Sequence, residues 1–309
     1  MNYTLHQLQI FSTIARYQSI TQAAQHLHMT QPAVSIQLKN FQNQFDIPLT
    51  EVIGRQLYIT DFGKEILVLA ERIIGEMEAI QYKTMAYKGM LTGRLKISCV
   101  STGKYIMPYL LSDFMKMQPG IDLELDVTNR SEVLDSLVNN QVDFGLVSIL
   151  PDKLNVDSIE LMQNKLFVVG NRDREFTEKS YNIDLLNELP MIFREKGSGT
   201  RMVMERFISE NELPVNLKME LRSNEAVKQA LLAGLGYSVM PLIGIKNELG
   251  NGSLQIIPMK DFPITSTWNL VWLSSKKMSP VAEAFLAFLK LEKQRIIEEK
   301  FGWYDEFGA

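Results

Sequence analysis

Between Ser19 and Phe41 the chain reads SITQAAQHLHMTQPAVSIQLKNF, an order of residues that few folds can accommodate. Upstream, Leu8, Phe11 and Ala15 recur at helical spacing and predict a first helix over residues 4–17. Ser19 and Thr21 are each suited to cap a second helix, and Ser19 with Gln22 has the spacing of a capping box. That helix carries Ala23, Ala24 and Leu27 on one face. Met29-Thr30 interrupts the pattern. Thr30 can cap a third helix with Pro32 in its first turn, where a missing N–H costs nothing. The third helix would bury Val34, Leu38, Phe41 and Phe45. Paired alanines let two helix backbones approach closely at a steep angle, which is helix-turn-helix geometry, with a second helix shaped for the DNA major groove. The outward side of that helix would show Gln31, Ser35, Gln37, Lys39 and Asn40, amides and hydroxyls able to bond base edges and phosphates. An ordinary three-helix bundle with a polar surface has the same spacing, so periodicity alone does not choose. His26 and His28 are read as surface residues.

The net charge of −4 argues at first against a polyanionic partner, but its distribution does not. The first acidic residue is Asp46, preceded by Arg16, Lys39 and nine glutamines. Residues 93–309 hold 25 basic and 29 acidic groups, so the deficit lies there. A zone without carboxylates suits a phosphate-facing surface, because a carboxylate there would repel. It also suits a solvated polar face.

Residues 49–60, LTEVIGRQLYIT, read as a small hairpin with Gly54 at the turn and Arg55 at its tip. As a wing it would bring Arg55 to the DNA backbone or minor groove; otherwise Arg55 is a solvent-facing turn residue. FSTIARYQSITQAAQHLHMTQPAVSIQLKNFQNQFDIPL followed by GRQLYITDFGKEIL resembles the N-terminal winged helix-turn-helix of LysR-type transcriptional regulators, without a gap over residues 5–67. The resemblance implies a DNA-binding regulator whose duplex contacts fall on Thr21, Thr30, Gln31, Pro32, Ser35, Gln37, Lys39 and Arg55. One position departs from the pattern. The family commonly has arginine where this chain has Ile36, which either removes a contact or replaces it with one to a thymine methyl.

Thr60 can cap a further helix reaching about Lys88. Ile66, Leu69, Ile73, Met77, Ile80, Thr84 and Tyr87 step by three and four, a seam of about 40 Å. A small winged domain cannot cover such a stripe, so a partner helix is expected and with it a homodimer. Packing against the chain's own second domain is the alternative. In the resembled family this segment is the dimerising linker, and Gly89 and Gly93 mark its end.

From Arg94 strand-like and helix-like segments alternate: LKISCV, helix 104–117, IDLELDV, helix 131–140, FGLVS, then KLFVVG, MIFR, helix 200–212, LKMEL, helix 224–233 and YSVMP. This predicts an α/β region with mainly parallel sheets in two similar halves. TSTWNLVWLSS (265–275) is expected to return the chain to the first half, where helix 280–295 packs. The arrangement resembles periplasmic solute-binding proteins and the effector domain of LysR-type regulators. The whole is therefore read as an α/β multidomain protein. A winged helix-turn-helix spans 1–60, a linker helix 61–92, and a two-subdomain, periplasmic-binding-protein-like effector domain 93–309. Subdomain I is placed at about 93–165 and 268–309, subdomain II at about 166–267.

Ligands of open α/β sheets sit at the carboxyl ends of strands, beside helix N-termini. Ser101 and Thr102 occupy one such end, and Ser148 another. In EKGSGTR, Gly197 and Gly199 can turn backbone N–H groups inward, Ser198 and Thr200 offer hydroxyls, and Arg201 a positive fork. Ser223 or Asn224 caps a further helix facing the same cleft. Each hydroxyl alone reads as a helix cap. Together Ser101, Thr102, Ser148, Ser198, Gly199, Thr200, Arg201 and Asn224 suit a small anionic effector. The resemblance implies effector contact at Ser101, Thr102 and Thr200, and GSGTR with SNEAVKQALLAGLGYSVMP looks most like members that regulate carbon fixation or sulfur assimilation.

Catalysis finds little support. His6, His26 and His28 are the only histidines, so the α/β region has no imidazole base. Cys99 has no histidine near it in sequence, and no metal-ligand spacing or cofactor fingerprint is present. An enzyme using carboxylates or lysine, or a small-molecule-binding protein without a DNA role, stays open as the alternative. No apolar run approaches a membrane span and the N-terminus lacks a signal-peptide layout, so an exported transport receptor is disfavoured. One cysteine allows no internal disulfide, which fits a cytoplasmic location. The expected partners are double-stranded DNA, a small anion and further copies of the chain, as a homodimer and then a homotetramer. RNA polymerase is a partner the family resemblance allows.

Overall fold

Thr4 opens the first helix, α1 (Leu5–Tyr17), with a reciprocal cap. Its hydroxyl accepts from the Gln7 amide at 3.2 Å, while the Gln7 side chain accepts from the Thr4 amide at 2.9 Å. Ser19 caps α2 (Ile20–His26) by accepting from the Gln22 amide at 3.3 Å, leaving Thr21 exposed in the first turn. His28 takes a left-handed conformation (φ 53°) in the turn. Thr30 then caps α3 (Gln31–Gln42), with Pro32 in its first turn. Ala23 and Ala24 are buried between the helices, in one core with Leu8, Phe11, Ile14, Val34, Leu38 and Phe41. Phe41 is its aromatic centre, 5.4 Å from Phe11 and 5.2 Å from Phe45, ring to ring.

The computed structural model describes residues 3–54, 56–86, 91–214 and 216–307. The chain divides into two units, Met1–Gly93 and Arg94–Ala309. The first is completed by a hairpin and a long helix. Strands β1 (Thr50–Ile53) and β2 (Gln56–Ile59) pair antiparallel, Ile53 opposite Gln56, across a turn in which Gly54 has φ +68°. Thr60 donates its hydroxyl to the Pro48 carbonyl at 2.6 Å and accepts from the Gly63 amide at 3.0 Å, so it ties the hairpin to α4 (Asp61–Ala86).

On α4 the expected seam is only partly free. Ile66 packs on the winged core together with Leu67, Ala70 and Ile74. Leu69, Ile73 and Ile80 stay exposed, beside Val68. The first turns of α4 have a neighbour within their own unit, α1, and this claims one edge of the stripe. Tyr87, Gly89 and the side chain of Thr84 lie outside the described residues.

The second unit is built on a seven-stranded sheet. Its elements are β3 (Gly93–Val100), α5 (Met107–Met117), β4 (Ile121–Thr128), α6 (Arg130–Val138), β5 (Phe144–Val147) and β6 (Val156–Asn171). There follow α7 (Leu185–Glu188), β7 (Met191–Arg194), α8 (Gly199–Glu210), β8 (Leu217–Leu221), α9 (Asn224–Leu232), β9 (Ser238–Pro241), α10 (Lys246–Gly250), β10 (Leu254–Ile256), β11 (Ile264–Leu273) and α11 (Pro280–Phe301). The sheet order is β10-β6-β11-β5-β3-β4, with β9 also paired to β6, while β7 and β8 form a separate parallel pair.

The expectation of mainly parallel sheets is corrected here. β3 runs parallel to β5, but β6 is antiparallel to β9, β10 and β11, and β11 is antiparallel to β5. The physical reason is the 16-residue β6, of which the KLFVVG stretch is only the C-terminal part. β6 and β11 pair from Val156–Leu273 to Leu166–Ile264 and form a long antiparallel ribbon, with a register shift between Thr267 and Asn269. α11 packs on α5 through Phe285 and Phe114, whose rings lie 5.2 Å apart. Among the described residues, no helix is long and apolar enough to cross a membrane.

Candidate functional site

Two regions concentrate the chemistry, one in each unit. In the first, α3 presents a face with no carboxylate. Val34, Leu38 and Phe41 point into the core; Gln31, Pro32, Ile36, Lys39 and Asn40 are exposed. Ser35 is half-buried. Gln37 belongs elsewhere than the outward face: its side-chain oxygen accepts from Gln7 of α1 at 3.2 Å, and it is half-buried at that helix contact. Thr21 and Thr30 are exposed at the starts of the two helices, Thr30 with its hydroxyl in its own cap. His26 bonds the Tyr17 hydroxyl at 3.2 Å, and His28 is exposed. Arg55 lies outside the described residues. The wing exposes Val52 and Ile53 on β1.

In the second unit a narrow cleft, partly open to solvent, is lined by Val100, Ser101, Thr102, Asn129, Arg130, Ser148, Arg194, Ser198, Gly199, Thr200 and Asn224. Three helices, α6, α8 and α9, begin at it. Their unsatisfied N–H groups and dipoles give the cleft positive character. α6 and α9 are capped by side chains, Asn129 accepting from the Glu132 amide and Ser223 from the Ala226 amide. At α8 the cap residue Ser198 makes no such bond, so its buried hydroxyl is uncommitted to capping.

The hydroxyls are held by cross-chain contacts. Thr102 accepts from the Trp268 indole N–H at 3.1 Å, which leaves its own hydrogen to donate. Ser101 accepts from the Asn224 backbone amide at 3.4 Å. α8 approaches β5 so closely that a Cβ on Gly199 would lie 2.9 Å from the Ser148 hydroxyl. Gly197, at φ +91°, makes the turn before α8.

Charge in the cleft comes from residues other than the one expected. Arg201 is absent from the lining. Its guanidinium faces Glu205 at 2.6 Å and Glu220, and donates to the Arg194 carbonyl at 2.8 Å. The Glu205 partner sits one helical turn on, an i,i+4 pair legible in the sequence. In its place stand Arg130 and Arg194. Arg130 donates to the carbonyls of Ile149 at 2.9 Å and Leu150 at 3.0 Å, neutral acceptors that leave its charge uncompensated at contact range. Burial lowers its pKa, with Asp152 opposing. Arg194 is buried and held bidentately by Glu195 at 2.8 and 2.9 Å, with its remaining nitrogen on the Asn224 oxygen at 2.6 Å. That fixes the Asn224 amide so that its nitrogen, buried and without a hydrogen-bond partner, is a donor to spare. Arg130 and Asn129 follow a loop that reads only as a helix start, and no sequence signal marks them.

Cys99 is buried under this site, its thiol pushed up to about 12 by burial, with Asp126 adding to the effect. It stays protonated at neutral pH and lacks thiolate reactivity. Among the described residues no three candidate ligands gather as a metal site.

Similarity to known proteins follows the two units. Residues 5–64 match the family described as bacterial regulatory helix-turn-helix protein, lysR family, and residues 88–293 that of the LysR substrate binding domain. The HTH-type transcriptional activator CmpR of Synechocystis sp. is 38% identical over 289 residues, 93% of this chain and 95% of that protein. The regulatory domain of Synechocystis PCC6803 CcmR, solved in complex with 2-PG, is 35% identical, with a TM-score of 0.61 over 64% of this chain and 96% of that one. A full-length OxyR of Pseudomonas aeruginosa, in a cysteine-to-aspartate variant, is 21% identical and shares the fold, with a TM-score of 0.70 over 96% of this chain and 95% of that one.

Proposed function

The chain belongs to the LysR family of transcriptional regulators, and on that premise we propose that α3 and the wing read duplex DNA while a small anion in the cleft of the second unit controls the outcome. The family shows a DNA-binding regulator with an effector-binding domain. The observation that carries the anionic character is the cleft itself. Three helix N-termini converge there, with Arg130 bonded only to carbonyls and the Asn224 amide nitrogen unpartnered. A carboxylate or phosphate supplies the acceptors that those donors lack. The 2-PG bound by the CcmR regulatory domain supports the same reading. Thr102, Ser198 and Thr200 would hydrogen-bond the ligand, and Arg130 would neutralise it.

Calorimetry with 2-PG and a panel of small carboxylates and phosphates tests this. Arg130→Ala is expected to weaken the best ligand by roughly ten-fold or more, as for loss of one charge-assisted hydrogen bond. Thr200→Ala should cost less, and Gly199→Ala should block the cleft because its methyl would meet Ser148. Unchanged affinity in all three would rule the cleft out.

The exposed Leu69, Ile73 and Ile80 on α4 support pairing with a second copy, and the family reading extends this to pairs of dimers acting in the cytoplasm. An anion bridging α6 and α8 would change the angle between the halves and so the spacing of DNA-reading heads. For DNA, Gln31→Ala and Ser35→Ala should weaken a specific site more than random duplex. Lys39→Ala should weaken both alike and lower the salt slope by about one. Equal loss on both duplexes for Gln31→Ala, measured by fluorescence anisotropy, would reduce that residue to a phosphate contact.

A further inference from the structure

At the middle of the outward face of α3 stands neither an amide nor a cation but Ile36. With 3.6 residues per turn it lies roughly opposite Val34, Leu38 and Phe41, the residues that pin the helix to its core. Its side chain is 59% exposed. One turn before it is the exposed Pro32, and one turn after it come the exposed Lys39 and Asn40. A β-branched side chain in a helix keeps essentially one rotamer, so this apolar surface is fixed in direction. It is also small: its helical neighbours on that face are polar apart from Pro32 and the half-buried Ala33, too little for the several hundred Å² typical of a protein-binding patch. α3 and the two helices before it carry no carboxylate, since none precedes Asp46 in the chain. An acid-free, amide- and lysine-flanked face with one rigid apolar centre complements a polyanion that carries one apolar feature. The major groove is such a surface, and its apolar feature is the C5 methyl of thymine.

We propose that Ile36 packs on a pyrimidine C5 methyl in the major groove and is the side chain that specifies thymine at the base pair under the centre of α3. The proposal rests on the reading of α3 as the DNA-reading helix. It explains how a helix lacking an arginine at this place gains discrimination: isoleucine cannot bond a phosphate or a guanine edge, so what it adds is sensitivity to one methyl. Burying a methyl-sized group against it is worth about four-fold in affinity per half-site. Thymine and 5-methylcytosine present the same group, and the test separates them.

The full-length protein is used to select duplexes from a random double-stranded pool, and each thymine of the selected site is replaced in turn by deoxyuridine. At one thymine per half-site the wild type should bind the uracil duplex about four-fold more weakly. Ile36→Ala should bind the two duplexes within about two-fold, and Ile36→Val should fall between. At the same position a 5-methylcytosine pair should bind the wild type more tightly than an unmethylated cytosine pair by a similar factor. Thymine preferred over uracil with no gain from 5-methylcytosine would still support the contact and restrict it to the A·T pair. If no thymine shows methyl dependence, or Ile36→Ala keeps the full discrimination, the proposal falls while α3 remains the reading helix. If the wild type selects no preferred duplex, the reading of α3 falls with it, a result distinct from the first.

Discussion

Replacing Glu195 by alanine is expected to destabilise the second unit by about 3–5 kcal/mol, the cost of stranding a buried cation. Arg194 is 4% exposed, and Glu195 takes two of its nitrogens at 2.8 and 2.9 Å. Its other acceptors are neutral, the Asn224 amide oxygen and, at 3.4 Å, the Arg222 carbonyl. Without the carboxylate the guanidinium would be buried with only dipoles around it. The double change Arg194→Met, Glu195→Leu should recover most of the loss, since it removes both charges together. All three tryptophans, Trp268, Trp272 and Trp303, belong to the second unit, so their fluorescence during urea unfolding of the whole chain reports this unit. A midpoint for Glu195→Ala close to wild type would show that the pair contributes little. Effector affinity should fall as well, because Arg194 holds the Asn224 amide in place.

Gly63→Ala should damage the first unit, although glycine to alanine inside a helix ordinarily stabilises by about 0.5–1 kcal/mol. A methyl at this position would lie 2.1 Å from the Leu49 carbonyl oxygen and 2.8 Å from an Ile59 methyl. The oxygen belongs to backbone that cannot rotate away: it accepts from the Thr60 amide at 3.1 Å, and Leu49 is fully buried. The hairpin must therefore move off α4. Overpacking costs roughly 1–3 kcal/mol, and a backbone clash belongs at the upper end, which outweighs the helix-propensity gain. The wing carries the displacement, so DNA affinity should drop more than stability alone would suggest. Gly75→Ala is the control. It sits on the same helix with nothing within 4 Å of the added methyl, and it should stabilise slightly. Similar behaviour of the two variants in limited proteolysis and DNA binding would refute the clash.

The first unit is nearly all legible in the sequence because its information is local. The spacing of Leu8, Phe11, Val34, Leu38 and Phe41, the caps at Ser19 and Thr30, and the small Ala23-Ala24 pair each act within a few residues. What escapes there is long-range: Gln37 turns toward Gln7 of α1, and one edge of the α4 stripe is taken by the winged core. In the second unit the strand and helix segments are legible but not their pairing. The first half of β6 carries Asp157 and Glu160 and reads as a polar connector; only its match with the distant β11 makes it a strand. The hydroxyls and helix starts locate the cleft, whereas its charges cannot be assigned from sequence. Arg201 reads as free beside two glycines, yet it is consumed by Glu205 and Glu220. Arg130 reads as an ordinary first-turn residue, because the carbonyls that hold it belong to a different strand's end.

The β6–β11 ribbon has a mechanical consequence. Strands bonded to each other along their length resist extension, since lengthening would break backbone bonds in pairs, but they yield readily to twist. The segments joined to its two ends are thus coupled as by a torsion bar: twist passes along it, while its length is set by a fixed count of residues. The register shift interrupts its ladder beside Trp268, and the indole there is bonded to Thr102 in the cleft.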